Sequence, residues 1–372
     1  MIKLTHYRTA CTQDTEMLDD VTFPQRVHWF PETYARVSTG LFYPPHKLAD
    51  KVLDPELMKM LRDTPSKKTA FIFAAGNAHF AGIPSTPRQS RLSYTYRALP
   101  LTLTQVYASR IAQACGASDH IVTDSSACAS SLKALMDVQT LAKMYGFTRV
   151  IVFSVEDAVS NLVLEFFGES KACLTAKREA AEGIVPSAFD SKNGSFHVGQ
   201  GAAFAVFESE QGLADSGFKA SAQLLGAYTA SEPCTNPLGQ LESGLGFVKA
   251  AQGAFELAGV TPSAIRMVKT HGTGTTSNNK AERSALDYLL PDGFQATSYK
   301  PLIGHTMGAS GLLESILLID SLKNGVMPAI KNRTEVDRKF LSDPVSTPEG
   351  LILSLAAGMG NVYSAAVLSM DN

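Results

Sequence analysis

Three short stretches carry residue types that can do chemistry. The first, TDSSACASSLKAL (Thr123 to Leu135), sets Cys128 among small hydroxyl residues. The apolar run before it reads as a strand, and ASSLKALMDVQTLAKMYG after it reads as a helix, so the sulfur falls at a strand-to-helix turn. Free N–H groups and the dipole at a helix start favour a thiolate. The small neighbours Ala127, Ala129 and Ser130 leave room for a substrate to approach. An inert buried cysteine is the plain alternative, and nothing in this stretch alone separates the two.

The second stretch, KTHGTGTTSNNKAE, places His271 after an apolar strand and before two glycines interleaved with Thr273 and Thr275. Glycines there let backbone lie against a ligand, and the hydroxyls can hydrogen-bond a polar chain. The GK[ST] ending of a phosphate loop is missing. In the third, SYKPLIGHTMGASGLLE, Lys300 and His305 flank an apolar turn that opens into a helix. Singly, these last two read as a capped turn, a solvated lysine and a core histidine. Jointly, one cysteine at an elbow and two histidines, each beside a glycine, suit thioester chemistry. The sulfur is the nucleophile, and uncharged imidazole N–H groups stabilise an enolate oxygen.

These residues need a scaffold, and the chain is long enough to supply one. Its 372 residues, 45% hydrophobic and 18% charged, are a globular balance with ample core. A net charge of −2 gives no reason to expect nucleic acid or an anionic membrane as partner. No apolar run is long enough to span a bilayer, and the start lacks the pattern of a secretory signal. A cytoplasmic protein is expected. Cys11, Cys115, Cys128, Cys173 and Cys234 are scattered with no CxxC pair, so neither a metal site nor a disulfide framework is expected.

Short β-branched runs (AFIFAAG, HIVTDSS, RVIVFSV, AAFAVFE, RMVKTHG, LILSLAAG) alternate with helical patterns ending at glycine, which argues for α/β architecture. The chain also reads as two halves, 1–209 and 210–372, each closing on a Gly-x-Gly and an apolar strand, with SEQGLADSGFKA at the seam. Residues 160 to 195 read as a long irregular insertion.

Taken together, the motifs resemble the elongating β-ketoacyl-[acyl-carrier-protein] synthases of the thiolase superfamily. SACASSLKAL matches the cysteine elbow, His271 to Thr275 match HGTGT, and Ser298 to Gly311 match SxKxxxGHxxGAxG. Phe189, Asp190, Phe196, Gly199, Gly201 and Glu208 match the segment closing the first half. The resemblance implies a thiolase-like fold, two similar halves in a five-layered αβαβα architecture, dimeric across a sheet edge. It implies decarboxylative Claisen condensation of an acyl chain on Cys128 with malonyl-acyl carrier protein, without metal or free cofactor, the substrates riding on phosphopantetheine. His271 and His305 would stabilise the enolate, and Lys300 would hold His305. Glu282 would be a buried structural acid near that lysine. Thr273 and Thr275 would touch the phosphopantetheine arm. The N–H groups of Cys128 and Met359 would form the oxyanion hole.

Two histidines argue against priming-type synthases, and the lack of a cysteine after Cys234 argues against a thiolase. Departures lie elsewhere. Asn278-Asn279 stand where Gly-Asp is usual, Gln200 where glutamate is usual, and GMGNVY puts Met359 in place of a gatekeeping phenylalanine. Asp320-Ser321-Leu322 mimics a phosphopantetheine attachment site but falls inside a helix. Lys59, Arg62, Lys67 and Lys68 form either a docking patch for an acidic carrier protein or a solvated face. The rival readings are a non-condensing carrier-protein acyltransferase and a chain-length-type partner subunit of a heterodimer; Cys128 with both histidines counts against the latter.

Overall fold

The computed structural model describes residues 1–12, 15–18, 21–24, 27–29, 52–64, 66–76, 103–117, 119–156, 161–233, 236 and 238–371. Ten strands form the frame. In the first half they are β1 (Ile2–Thr12), β2 (Thr69–Ala74), β3 (His120–Asp124), β4 (Arg149–Glu156) and β5 (Gly201–Ser209), ordered β3-β2-β4-β5-β1. In the second they are β6 (Ala222–Ser231), β7 (Ile265–Lys269), β8 (Gln295–Thr297), β9 (Leu351–Gly358) and β10 (Val362–Met370), ordered β8-β7-β9-β10-β6. The two orders are the same. So are the directions: β2 runs parallel to β3 and β4 as β7 does to β8 and β9, and the remaining pairs are antiparallel. Three antiparallel pairs between β1 and β6, from Ile2–Leu224 to Leu4–Ala222, join both sets into one sheet.

Strand alternation sets the layers. Ala70, Ile72, Val150 and Val152 face inward onto Leu132, Leu135 and Val138 of α3 (Ser130–Met144) and Leu312, Leu313 and Ile316 of α10 (Ser310–Lys323). The intervening Phe71, Phe73, Ile151 and Phe153 face outward onto α1 (Pro55–Asp63) and α2 (Thr104–Ala114). On the other side, Val268, Leu353 and Val367 pack against α7 (Leu245–Ala258) and α8 (Thr276–Leu289). Helix, sheet, helix, sheet, helix: the five layers follow from the side-chain pattern.

One expectation is corrected. The 160–195 segment is not wholly irregular, since it contains α4 (Asn161–Glu169) and α5 (Ala176–Glu182). Helix α5 starts where Thr175 Oγ1 accepts from Arg178 N and stops at Gly183, φ 65°, a left-handed close that glycine adopts without strain. The stretch SEQGLADSGFKA holds a short helix, α6 (Glu210–Ser216), capped by Ser209 and ended by Gly217. Cys11, Cys115 and Cys173 are buried, as inert cysteines would be; Cys234 lies outside the described residues.

Candidate functional site

Cys128 sits in a single 3-10 turn, Ala127–Ala129, between β3 and α3. Ala127 takes φ 48°, a conformation that costs a non-glycine residue on the order of 1–3 kcal/mol. The turn thereby lifts Cys128 off the end of the sheet. His305 is placed by the segment leading into β5: His305 N donates to His197 O at 2.7 Å, and Gly199 N donates to His305 O at 2.9 Å. Phe196 meets the His305 ring edge-on at 5.1 Å. His271 follows β7, where Glu282 of α8 accepts from the N–H groups of His271 and Gly272. The glycines of this loop are obligatory: Gly272 and Gly274 have φ of 55° and 72°, and a Cβ on Gly274 would lie 1.9 Å from Ser187 O.

The two imidazoles stand 5.6 Å apart, nearly perpendicular. They and Cys128 open into one cavity of about 690 Å³. Thr273, Thr275, Ser277 and Asn278 line one part of it, and Val163, Phe166, Phe167 and Phe196 another; Met359 lines it as well. Thr275 also caps α8 and lies 3.2 Å, oxygen to oxygen, from Thr273.

Lys300 is buried behind the histidines, but its partner is not the one expected. Lys300 Nζ donates to Glu314 Oε1 at 2.8 Å, and no hydrogen bond joins it to His305 among those described. Glu282 is buried as expected, yet it serves the backbone of His271 and Gly272 and accepts from Asn278 Nδ2 at 2.9 Å. The eleven-residue spacing from His271 to Glu282 is legible in the chain; which group the carboxylate meets is not.

Glu314 and Lys269 were both missed by sequence reasoning. Lys269 Nζ lies 3.3 Å from Glu314 Oε2 and donates to Leu355 O at 2.6 Å. Two ammonium groups thus share one carboxylate, all three fully buried. Burial pulls Lys269 down to about 8 against the pull of Glu314.

This arrangement fixes protonation. Burial holds both His271 and His305 well below the ordinary histidine range, and the nearby charges of Lys300 and Lys269 push the same way. Both rings are therefore neutral. Each Nδ1 is buried with no hydrogen-bond partner, which assigns the proton to Nε2, since a buried N–H without an acceptor is the costlier choice. Cys128 departs from expectation: burial pushes its thiol up to about 12, Lys300 opposes this, and Glu156 and Glu314 reinforce it. Desolvation outweighs the helix start and favours the thiol form.

Two of the departures can be placed. Asn279 Oδ1 accepts from Phe189 N at 3.2 Å, tying α8 to the segment closing the first half. Met359 is 40% exposed and sits at the cavity mouth. Ser321 bonds back to Leu317 O within α10, so the attachment-site mimic is ordinary helix. Lys67 and Lys68 precede β2, whereas Gly76 at its other end touches the Cys128 elbow. At roughly 3.3 Å per residue these two lysines lie some 25 Å from that elbow. Among the described residues no cluster of His, Cys, Asp or Glu is arranged for a metal, and no helix is long and apolar enough to cross a membrane.

The chain is similar to known proteins. The β-ketoacyl synthase N-terminal domain matches residues 50–212, and the β-ketoacyl synthase C-terminal domain matches 222–334. An oxytetracycline polyketide putative β-ketoacyl synthase 1 of Streptomyces rimosus is 29% identical, over 66% of this chain and 59% of its own. A 3-oxoacyl-[acyl-carrier-protein] synthase 2 of Mycobacterium bovis is 27% identical, over 66% and 60%. The chain thus spans about 60% of the length of these curated relatives. Among solved structures, a β-ketoacyl synthase from Burkholderia phymatum superposes with a TM-score of 0.80 at 18% identity, covering all of both chains. A ketosynthase in complex with its chain length factor from Xenorhabdus doucetiae gives 0.77 at 17%, covering 100% of this chain and 98% of the other. These likenesses show the thiolase-like fold of the ketosynthases. With both domains matched in order across the two halves of the frame, the chain belongs to the β-ketoacyl synthase family.

Proposed function

We propose that the protein is a 3-oxoacyl-[acyl-carrier-protein] synthase acting in the cytoplasm on carrier-bound thioesters. The observation that carries this is the opening of Cys128, His271 and His305 into one cavity, with both imidazoles held neutral. In the first step Cys128 Sγ attacks the acyl carbonyl. The bond to the pantetheine sulfur breaks, and the thiol proton ends on that leaving sulfur. In the second, the carboxylate carbon of malonyl-carrier leaves as CO2. Its electron pair becomes an enolate, whose oxygen accepts from the Nε2–H groups of His271 and His305. The enolate carbon attacks the acyl carbonyl, the bond to Cys128 breaks, and the sulfur regains a proton from solvent. The product is a 3-ketoacyl chain two carbons longer.

In this reading Thr273 and Thr275 hold the phosphopantetheine arm, and the N–H groups of Cys128 and Met359 receive the tetrahedral oxyanion. Lys300 acts through the field on both histidines. The boundary between halves lies at 209/210. Pairing of subunits runs along β3, an edge strand of the described sheet whose residues before Asp124 are exposed or half-buried. The partner is a second copy or a related subunit, as the Xenorhabdus ketosynthase has its chain length factor.

Intact-mass spectrometry tests this. Mixed with a panel of acyl-carrier thioesters, the wild type is expected to gain the acyl mass and Cys128→Ala is not. Malonyl-carrier then chases the label into a carrier product two carbons longer. Loading without extension would make the protein an acyltransferase. No loading, alone or with a co-expressed homologue, would leave it a partner subunit.

A further inference from the structure

Glu156 ends β4, is fully buried, and has no role in the chemistry above. Its Oε2 accepts from Gly76 N at 2.8 Å and from Gly308 N at 3.0 Å. The two donors come from different halves. Gly76 follows β2, its carbonyl accepts from Ser125 Oγ at 3.3 Å, and a Cβ on it would lie 3.0 Å from Ala127 O. Gly308 belongs to the turn three residues after His305, and a Cβ on it would lie 2.2 Å from Gly76 N and 2.7 Å from Glu156 Oε2. One carboxylate oxygen therefore joins two backbones, the end of β2 and the turn that follows His305, and the end of β2 packs against the residue before the nucleophile. Burying a carboxylate is costly, and backbone N–H donors offset that cost.

Resting on the roles proposed above for Cys128 and His305, we propose that Glu156 is a positioning residue of the condensation site: through Gly76 it locks the Cys128 elbow to the His305 turn, and its negative charge opposes a second one on Cys128. The charges acting on that sulfur are Lys300, which favours ionisation, and Glu156 and Glu314, which oppose it. The two functions of Glu156 separate by mutation, with opposite signs. Glu156→Gln keeps an oxygen for the two N–H groups and removes the charge. Glu156→Ala removes both.

The experiment is alkylation of Cys128 by iodoacetamide at about pH 8, followed by intact mass on the full chain, with Cys128→Ala as the site control. Acyl loading from a carrier thioester is measured beside it. Glu156→Gln is expected to alkylate about tenfold faster than wild type, the equivalent of about one unit in the thiol pKa. Glu156→Ala is expected to load acyl groups at least about tenfold more slowly, as a misplaced nucleophile would. A glutamine variant that alkylates no faster than wild type overturns the charge role, and an alanine variant that loads normally overturns the lock. Should the alanine variant not fold, the glutamine contrast still decides. Alkylation needs no acyl substrate, so a wild type that never loads would sink the synthase reading while leaving this contrast to be read.

Discussion

The molecule builds the same elbow twice and arms only one of them. In the first half, Ala127–Ala129 form a 3-10 turn with φ 48° at Ala127 and lead into α3 at Ser130. In the second, Met307–Ala309 form a 3-10 turn with φ 44° at Met307 and lead into α10 at Ser310. Cys128 and Gly308 hold the same place in the two turns. The elbows also touch, because Ser310 Oγ lies 3.5 Å from Cys128 O and Leu312 N donates to Ser131 Oγ at 3.0 Å. The repeat is scaffolding, and the chemistry lies where it is broken. At one elbow a side chain faces the cavity; at the other the missing side chain lets Glu156 and Gly76 close the junction.

That comparison can be broken most severely at its two centres, with opposite outcomes. Cys128→Ala is expected to abolish acyl loading while shifting the melting temperature by no more than a few degrees. Gly308→Ala forces a methyl against backbone and is expected to cost about 3 kcal/mol or more. Chemical denaturation checks the second, and a cost under about 1 kcal/mol would mean the junction is loosely packed. The strained residues sharpen the comparison at a smaller scale. Ala127→Gly and Met307→Gly each relieve a positive φ but add unfolded-state entropy. For Ala127 the net change is expected within about 1 kcal/mol; Met307 is buried among Cys128, Phe196 and Val198, so its loss is expected to cost about 2 kcal/mol more.

A gentler probe is pH. His271 and His305 are neutral in the fold far below their ordinary range, and burial takes His6 down to about 4. Below about pH 6.5 the unfolded chain binds protons at these three positions that the folded chain refuses. Stability from this source is complete above about 6.5 and is lost as pH falls through it. Denaturation midpoints between about pH 7.5 and 5 are expected to drop, and replacing His6 with a neutral residue is expected to flatten the drop.

Much of this was legible in the chain. The elbow, HGTGT and the GH turn are local patterns, and Cys128, His271 and His305 indeed share one cavity. The outer and inner faces of β2 and β4 follow from alternation. The strands β1 and β6 escaped notice because IKLTHYRTACT and AQLLGAYTAS carry polar residues on an apolar frame. Lys269 and Glu314 escaped because a lysine and a glutamate are surface residues by default. Only the fold brings β7, α10 and the lysine of SYKPLIGH together in a dry interior, where each charge is offset by another. For the same reason the thiolate expected from a helix start becomes a thiol: composition does not report desolvation.

The central claim is that two neutral imidazoles, buried beside the nucleophile, stabilise the enolate of the extender unit. Release of labelled CO2 from carboxyl-labelled malonyl-carrier protein measures that step directly. Wild type is expected to decarboxylate at a rate flat from about pH 6 to 8, because neither ring gains a proton there, and His271→Ala or His305→Ala to lose about 100-fold or more while still accepting acyl groups on Cys128. A wild-type rate that falls away below about pH 6.5, or alanine variants that decarboxylate normally, would contradict it.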